Sequence, residues 1–378
     1  MNGSLEIGRV AGVPLRLHWS APLLVVVLSM GLAGSVLPAW APGHSASSYR
    51  LWAVAGALLL MASLIAHEGG HALVARRSKI AVKDVTVFAL GGVTRMASAT
   101  TAGSQGRVAG VGPVISLVLG GVCLGGSVLA GDVLHWPLPG GVLAWGGWTN
   151  ILLAVFNLLP AAPLDGGRVL QALIWRVRGD RERAAQASGR CGQVMGTVIM
   201  AGGLFEFLRG IGSGLWLGLI GLFVVVVASA EVRRAQLFES LRGLPVAAAM
   251  RPVITGQEWQ SVDRFLTETA WHAGDQPIIP VTDLDGHPSG YVTAPVLHAV
   301  PEARRPTIRV RDVAMPLERC VLAEPKEEIT DVLERAAMSP SAPVLVVNQQ
   351  HVVGMVTGAD LARARSGPSP HARTGNGH

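Results

Sequence analysis

The run from Leu58 to Arg77, LLLMASLIAHEGGHALVARR, sets His67, Glu68 and His71 into the second half of an apolar stretch long enough to cross a bilayer. On a helix, positions i and i+4 share a face. Both imidazoles can therefore reach one Zn2+, while Glu68 beside them can accept a proton from water. An ionisable residue inside a span costs about 2.5 to 3.5 kcal/mol. Three of them together point to a functional cluster rather than to polar groups merely satisfied by neighbouring helices.

A catalytic zinc site needs a third protein ligand and an open position. Working outward from His67–His71, the best candidate is Asp165. The stretch Asn157–Arg168, NLLPAAPLDGGR, breaks a helix with Pro160 and Pro163 just before this carboxylate, and Gly166-Gly167 lets backbone approach closely. The rival acid, Glu206, has Arg209 one turn on, and an i, i+3 ion pair is the plainer expectation for it. Asp132, His18 and His135 lie at span ends, where solvation or interfacial anchoring accounts for them. Residues Ile80–Met96, IAVKDVTVFALGGVTRM, alternate and are β-branched around Gly91-Gly92, which predicts a β-hairpin or re-entrant loop.

The rest of the composition agrees with a membrane chain. Of 378 residues half are hydrophobic and 15% charged, against about a quarter in ordinary soluble proteins, and mean hydropathy is +0.42. Apolar segments near Trp19–Leu37, Leu51–Ala75, Val108–Ala130, Val142–Leu159, Val194–Leu208 and Gly214–Ala230 predict about six transmembrane helices, the fifth being the shortest. The first reads as an uncleaved span rather than a removed signal peptide. Net charge is +6, but the basic residues flank the apolar runs instead of forming a stripe with interleaved aromatics, so nucleic acid is not an expected partner. Arg9, Arg16, Arg76, Arg77, Lys79, Lys83, the arginines of 168–190, Arg233 and Arg234 all fall on one side. That predicts a multi-pass protein of the cell membrane with both termini cytoplasmic. Only three lysines occur, as in high-GC bacterial genomes, and Cys123, Cys191 and Cys320 form neither a thiolate metal motif nor a disulfide framework.

HEGGH, FALGGVTRM after it, GPVIS at Gly112–Ser116 and NLLPAAPLDGG at Asn157–Gly167 together resemble the site-2 protease family of intramembrane zinc metalloproteases. The resemblance covers about Gly8–Ala230, within a transmembrane protease domain of residues 1–235. It implies that His67, His71 and Asp165 bind one zinc and that Glu68 is the general base. It also implies that Asn157 lies near the substrate or the developing oxyanion, and that Val85–Met96 pairs as an edge strand with an unwound transmembrane substrate. The implied reaction is hydrolysis of a peptide bond in or near a transmembrane segment, with an anti-sigma factor or a membrane-tethered transcription factor precursor as the substrate class. No insert resembling a PDZ domain lies between the spans. A transporter regulated by its tail is the alternative from another class, but it lacks inverted repeats and leaves the HExxH spacing unexplained. An inactive scaffold is a further alternative, against which the intact Glu68 argues.

Beyond Val246 the sequence repeats with a period near 64: AAMRPV (248–253) answers VAMPLE (313–318), DQPIIPVTD (275–283) answers SAPVLVVN (341–348), and GYVT (290–293) answers GMVT (354–357). Each half reads as helix, strand, turn, strand, helix. The pattern resembles a pair of CBS domains, placed at 244–305 and 306–366 and followed by a disordered tail over 367–378. The resemblance implies a soluble α/β pair that modulates the membrane domain, either as a homodimerising or docking surface or through an adenine nucleotide. The G-x-x-T-x-x-D pattern of such pairs is matched in full by Gly354–Asp360, with Thr357 and Asp360 as the implied contacts. In the first repeat Val296 stands where the acid should be, so at most one nucleotide site per chain is expected.

Overall fold

The computed structural model describes residues 4–10, 12–88, 91–270, 273–274, 276–337 and 342–366. The expected disordered tail over 367–378 lies outside them. Two compact units divide after Gln236.

Among the described residues, six helices are long and apolar enough to cross a membrane: α1 (Ala21–Trp40), α2 (Ala46–Arg77), α3 (Ala102–Val133), α4 (Pro137–Asn157), α6 (Arg181–Leu208) and α7 (Ser213–Leu241). Between α4 and α6 lies a shorter helix, α5 (Asp165–Arg178). The sixfold count is that of the sequence, but the fifth span is 28 residues long rather than the shortest. Its N-terminal half is rich in arginine, glutamine and serine, which hides it from a hydropathy window. Caps fix the boundaries. Ser45 accepts from Ser48 N at the start of α2, Thr101 and Ser104 form a reciprocal capping box on α3, and Asp180 accepts from Arg183 N at the start of α6. Gly179, at φ +75°, ends α5 in the left-handed conformation that glycine adopts without penalty.

The expected hairpin is present as β3 (Val82–Phe88) and β4 (Gly91–Met96), antiparallel with Val85 opposite Thr94. It is part of something larger. Residues given no element from sequence form β1 (Ser4–Val10) and β2 (Val13–His18), and β2 pairs in parallel with β3, giving one four-stranded sheet of order β1-β2-β3-β4. Val13, Leu15, Val85 and Val87 bury one face of this sheet with Met61 and Ala72 of α2. The strand β4 is left at an edge.

The second unit carries two sheets. In one, β5 (Gly256–Gln257), β6 (Ile279–Thr282), β7 (Pro288–Val292) and β8 (Met315–Pro316) pair in that order; in the other, β9 (Val321–Ala323), β10 (Val344–Asn348) and β11 (His351–Val356) form the order β11-β10-β9. Sequence repeat and sheet membership do not coincide. β8 belongs by sequence to the second repeat yet pairs with β7 of the first, while Val246 and Ala249 pack with Val321, Ile329, Val344 and Val346 of the second. The two repeats share a core through Ile278, Tyr291, Leu345 and Met355.

Candidate metal centre

His67 and His71 lie one helical turn apart on α2, 4% and 6% exposed. The glycines between them have separate packing duties. A Cβ on Gly69 would meet Val10 Cγ1 at 2.9 Å and one on Gly70 would meet Ile115 Cδ1 at 2.2 Å, so HEGGH admits strand β1 on one side and helix α3 on the other. Asp165 reaches the same place as the first residue of α5. The chain before it folds back tightly: a Cβ on Gly166 would strike Leu158 O at 2.3 Å, and one on Gly192 of α6 would strike Ala162 O at 2.1 Å. Ser188 Oγ donates to Gly167 O at 2.7 Å and fixes the first turn of α5 to α6. Asp165 Oδ2 thus stands 3.3 Å from His67 Nε2 and 3.2 Å from His71 Nε2.

This donor set fits zinc. One nitrogen from each of two imidazoles and one carboxylate oxygen lie within 4.8 Å of one another. Donors bonded to one tetrahedral zinc at about 2.0–2.1 Å lie roughly 3.3 Å apart, and three such ligands leave the fourth position open. The other imidazole nitrogens are already engaged, His71 Nδ1 with Val108 O at 2.7 Å and His67 Nδ1 with Ser116 Oγ at 2.9 Å. A carbonyl can only accept, so His71 carries its proton on Nδ1 and presents the Nε2 lone pair inward. Space is kept by Gly112, where an added Cβ would lie 2.4 Å from His71 Nε2 and 2.5 Å from His67 Nε2. Pro113, which cannot donate to Ala109 O, follows in the same helical turn.

Glu68 points to the sheet. Thr94 Oγ1 of β4 donates to Glu68 Oε2 at 2.6 Å, and Gly92 of the same strand has no Cβ that would meet Glu68 Cγ at 2.4 Å. Thr94, Ser116 and Val108 O were not singled out from sequence. The signal for two of them was there, since Thr94 falls in FALGGVTRM and Ser116 closes GPVIS.

The remaining expected residues are not members of this cluster. Asn157, the last residue of α4, is half-buried, and its side chain makes no hydrogen bond among the described residues. Glu206 is not in the cluster, and the expected ion pair with Arg209 does not form: the Arg209 guanidinium lies over the Phe205 ring, 5.1 Å from its centroid. In the second unit Asp360 is 2% exposed. Its Oδ2 accepts from Thr357 N at 2.8 Å and Thr357 Oγ1 at 2.5 Å, its Oδ1 accepts from Arg363 at 2.5 Å, and Arg251 Nε is 3.6 Å away.

The family model of Peptidase family M50 matches residues 55–139 and 128–203. Rip3 of Mycobacterium tuberculosis, named as a zinc metalloprotease, is 37% identical over 368 residues, covering 96% of this chain and 93% of that protein. Among solved structures, a site-2 protease from Methanocaldococcus jannaschii matches 61% of this chain and 95% of its own at 25% identity and a TM-score of 0.41. The CBS domain of a membrane protein from Sphaerobacter thermophilus matches 36% of this chain and 96% of its own at 19% identity and a TM-score of 0.29.

Proposed function

Since the chain belongs to peptidase family M50, the site-2 proteases, and is a multi-pass membrane zinc metalloprotease, we propose that it hydrolyses a peptide bond in or beside a transmembrane segment of a membrane-protein substrate. In this reading His67, His71 and Asp165 hold the zinc and Glu68 is the general base. The observation that carries it is the convergence of two imidazole Nε2 atoms on Asp165 Oδ2 at 3.2 and 3.3 Å, with Glu68 adjacent on the same helix.

Zinc, when bound, supplies Lewis acidity toward the scissile carbonyl. The chain's own residues do the rest. Glu68 takes a proton from the attacking water and returns it to the leaving amide nitrogen. The Thr94 bond holds the Glu68 carboxylate in one orientation. The side-chain amide of Asn157, uncommitted among the described residues, donates to the substrate carbonyl oxygen or to the charge that develops on it. An extended substrate adds to the free edge of β4, because a peptide bond inside a helix is shielded by its own turn. The basic residues at the Arg76 end of α2 favour a cytoplasmic location for both termini and for the nearby metal centre.

The second unit reads as a regulatory CBS pair, with one adenine-nucleotide site around Thr357 and Asp360. Since Asp360 is already engaged by Thr357, Arg251 and Arg363, a ribose hydroxyl has to displace one of these partners. Calorimetry with ATP and AMP on the full chain tests this, and heat unaffected by Asp360→Ala removes the site from that position. The substrate class that best fits is a membrane-tethered transcription factor precursor or an anti-sigma factor.

Glu68→Gln tests the reading as a whole. Zinc content should be unchanged and cleavage of a transmembrane reporter substrate should fall by roughly 10²- to 10⁴-fold. Cleavage at the wild-type rate with zinc bound overturns Glu68 as base.

A further inference from the structure

A second group of metal-donor side chains converges in the tail, at a place the proposed protease chemistry does not use. Asp283, Asp285 and His287, in the connection between β6 and β7, bring one ligand atom each within 4.8 Å of one another. Asp283 Oδ1 accepts from the amides of Asp285 at 2.9 Å and His287 at 2.8 Å, and Oδ2 lies 3.7 Å from His287 Nδ1. So far this is a turn that satisfies itself, and it points to no ligand.

The observation that changes the reading is His351, contributed by the other repeat. It opens β11 at the position equivalent to His287, 64 residues later, just as Gly354 answers Gly290. The two imidazoles meet with their centroids 5.7 Å apart and their planes at 58°. His351 Nδ1 is hydrogen-bonded to Gln349 O at 2.8 Å. The carbonyl can only accept, so Nδ1 carries the proton and Nε2 the lone pair, the arrangement common to metal-ligating histidines. That nitrogen faces the turn of the first repeat, since a Cβ built on Gly286 would lie 3.4 Å from it. Gln349 and Gln350 hold positive φ angles of 47° and 66°, which are uncommon without glycine, at the turn that delivers His351.

We propose that Asp283, Asp285 and His287, joined by His351 from the other repeat, bind a borderline divalent transition-metal ion of the zinc class that ties the two repeats together. Two imidazole nitrogens select such an ion over magnesium or calcium, which prefer oxygen ligands throughout. Two carboxylates offset its charge. The side chains of His287 and Asp283 are 40% and 36% exposed, so the site fills directly from solvent and binds more weakly than the buried centre of the membrane unit. This inference does not depend on the protease reading.

The test uses the purified full chain, stripped with chelator and titrated with zinc chloride by calorimetry, with metal content measured in parallel. Two binding events and two zinc per chain are expected. The weaker event should lose at least about tenfold in affinity in His287→Ala and in His351→Ala, and should persist in Asp165→Ala, which removes the tighter one. Magnesium chloride should give no event that these histidine variants alter. Zinc binding in which no event responds to either histidine variant overturns the site. Loss of the tight event alone bears only on the membrane centre.

Discussion

Thr94 Oγ1, on the edge strand β4, donates a 2.6 Å hydrogen bond to Oε2 of Glu68. The carboxylate proposed as base and the strand proposed to hold the substrate are therefore tied by one bond. In that proposal a substrate that shifts β4 also shifts the base, which would couple binding to chemistry through Thr94.

Thr94→Val, which keeps the shape and removes the hydroxyl, should leave zinc content unchanged and lower kcat on a reporter substrate. A hydrogen bond to a charged group is worth about 1.5 to 3 kcal/mol, or roughly ten- to hundredfold. Thr94→Ser should restore most of the rate. Equal activity in all three proteins, in steady-state assays in proteoliposomes, would separate the strand from the base.

Ser116 is fully buried and engages His67 Nδ1. Groups that orient a metal-bound imidazole typically contribute 10- to 100-fold in metal affinity. Ser116→Ala should weaken zinc binding by that amount in a chelator competition. The loss of activity should be recovered at raised zinc concentration, which a folding defect would not allow.

Gly112→Ala puts a methyl group 2.4–2.5 Å from both Nε2 atoms, in the space the metal requires. Zinc content and proteolysis should both be lost. Gly110→Ala, two residues earlier on the same helix and with nothing within 4 Å of the added carbon, should keep both.

In the tail, the hydrogen bond from Arg335 holds the Glu327 carboxyl below its ordinary range. A carboxyl depressed in the folded state stabilises the fold above the unfolded value, about 4.3, and that contribution is lost as pH falls through the folded value. Glu327→Gln should therefore exchange amide hydrogens faster than wild type over residues 321–337 at neutral pH. The difference should close as the medium is acidified below the ordinary carboxylate range. A difference that grows with acidification would contradict the pairing.

Much of this was legible along the chain because the relevant physics is local. Backbone groups in lipid must bond within their own helix, and the spans show as apolar runs, the fifth only over its C-terminal half. The i, i+4 geometry of one helix is enough to pair His67 with His71. Pro160, Pro163 and the following glycines mark Asp165 as an acid at a helix break. What the tertiary structure alone decided is non-local. β1 and β2 became strands of a shared sheet only because β3 lies beside β2, and pairing between residues 15 and 85 leaves no periodic trace in either segment. The partners of the two imidazoles come from α3, 37 and 49 residues away in sequence, and Thr94 reaches Glu68 across 26. Arg209 left Glu206 for the Phe205 ring, and β8 of the second repeat joined the sheet of the first. Hydropathy and spacing report what a segment does with itself. Which donor meets which acceptor across 30 or more residues depends on how helices and strands pack, and that is settled only when the whole core is assembled.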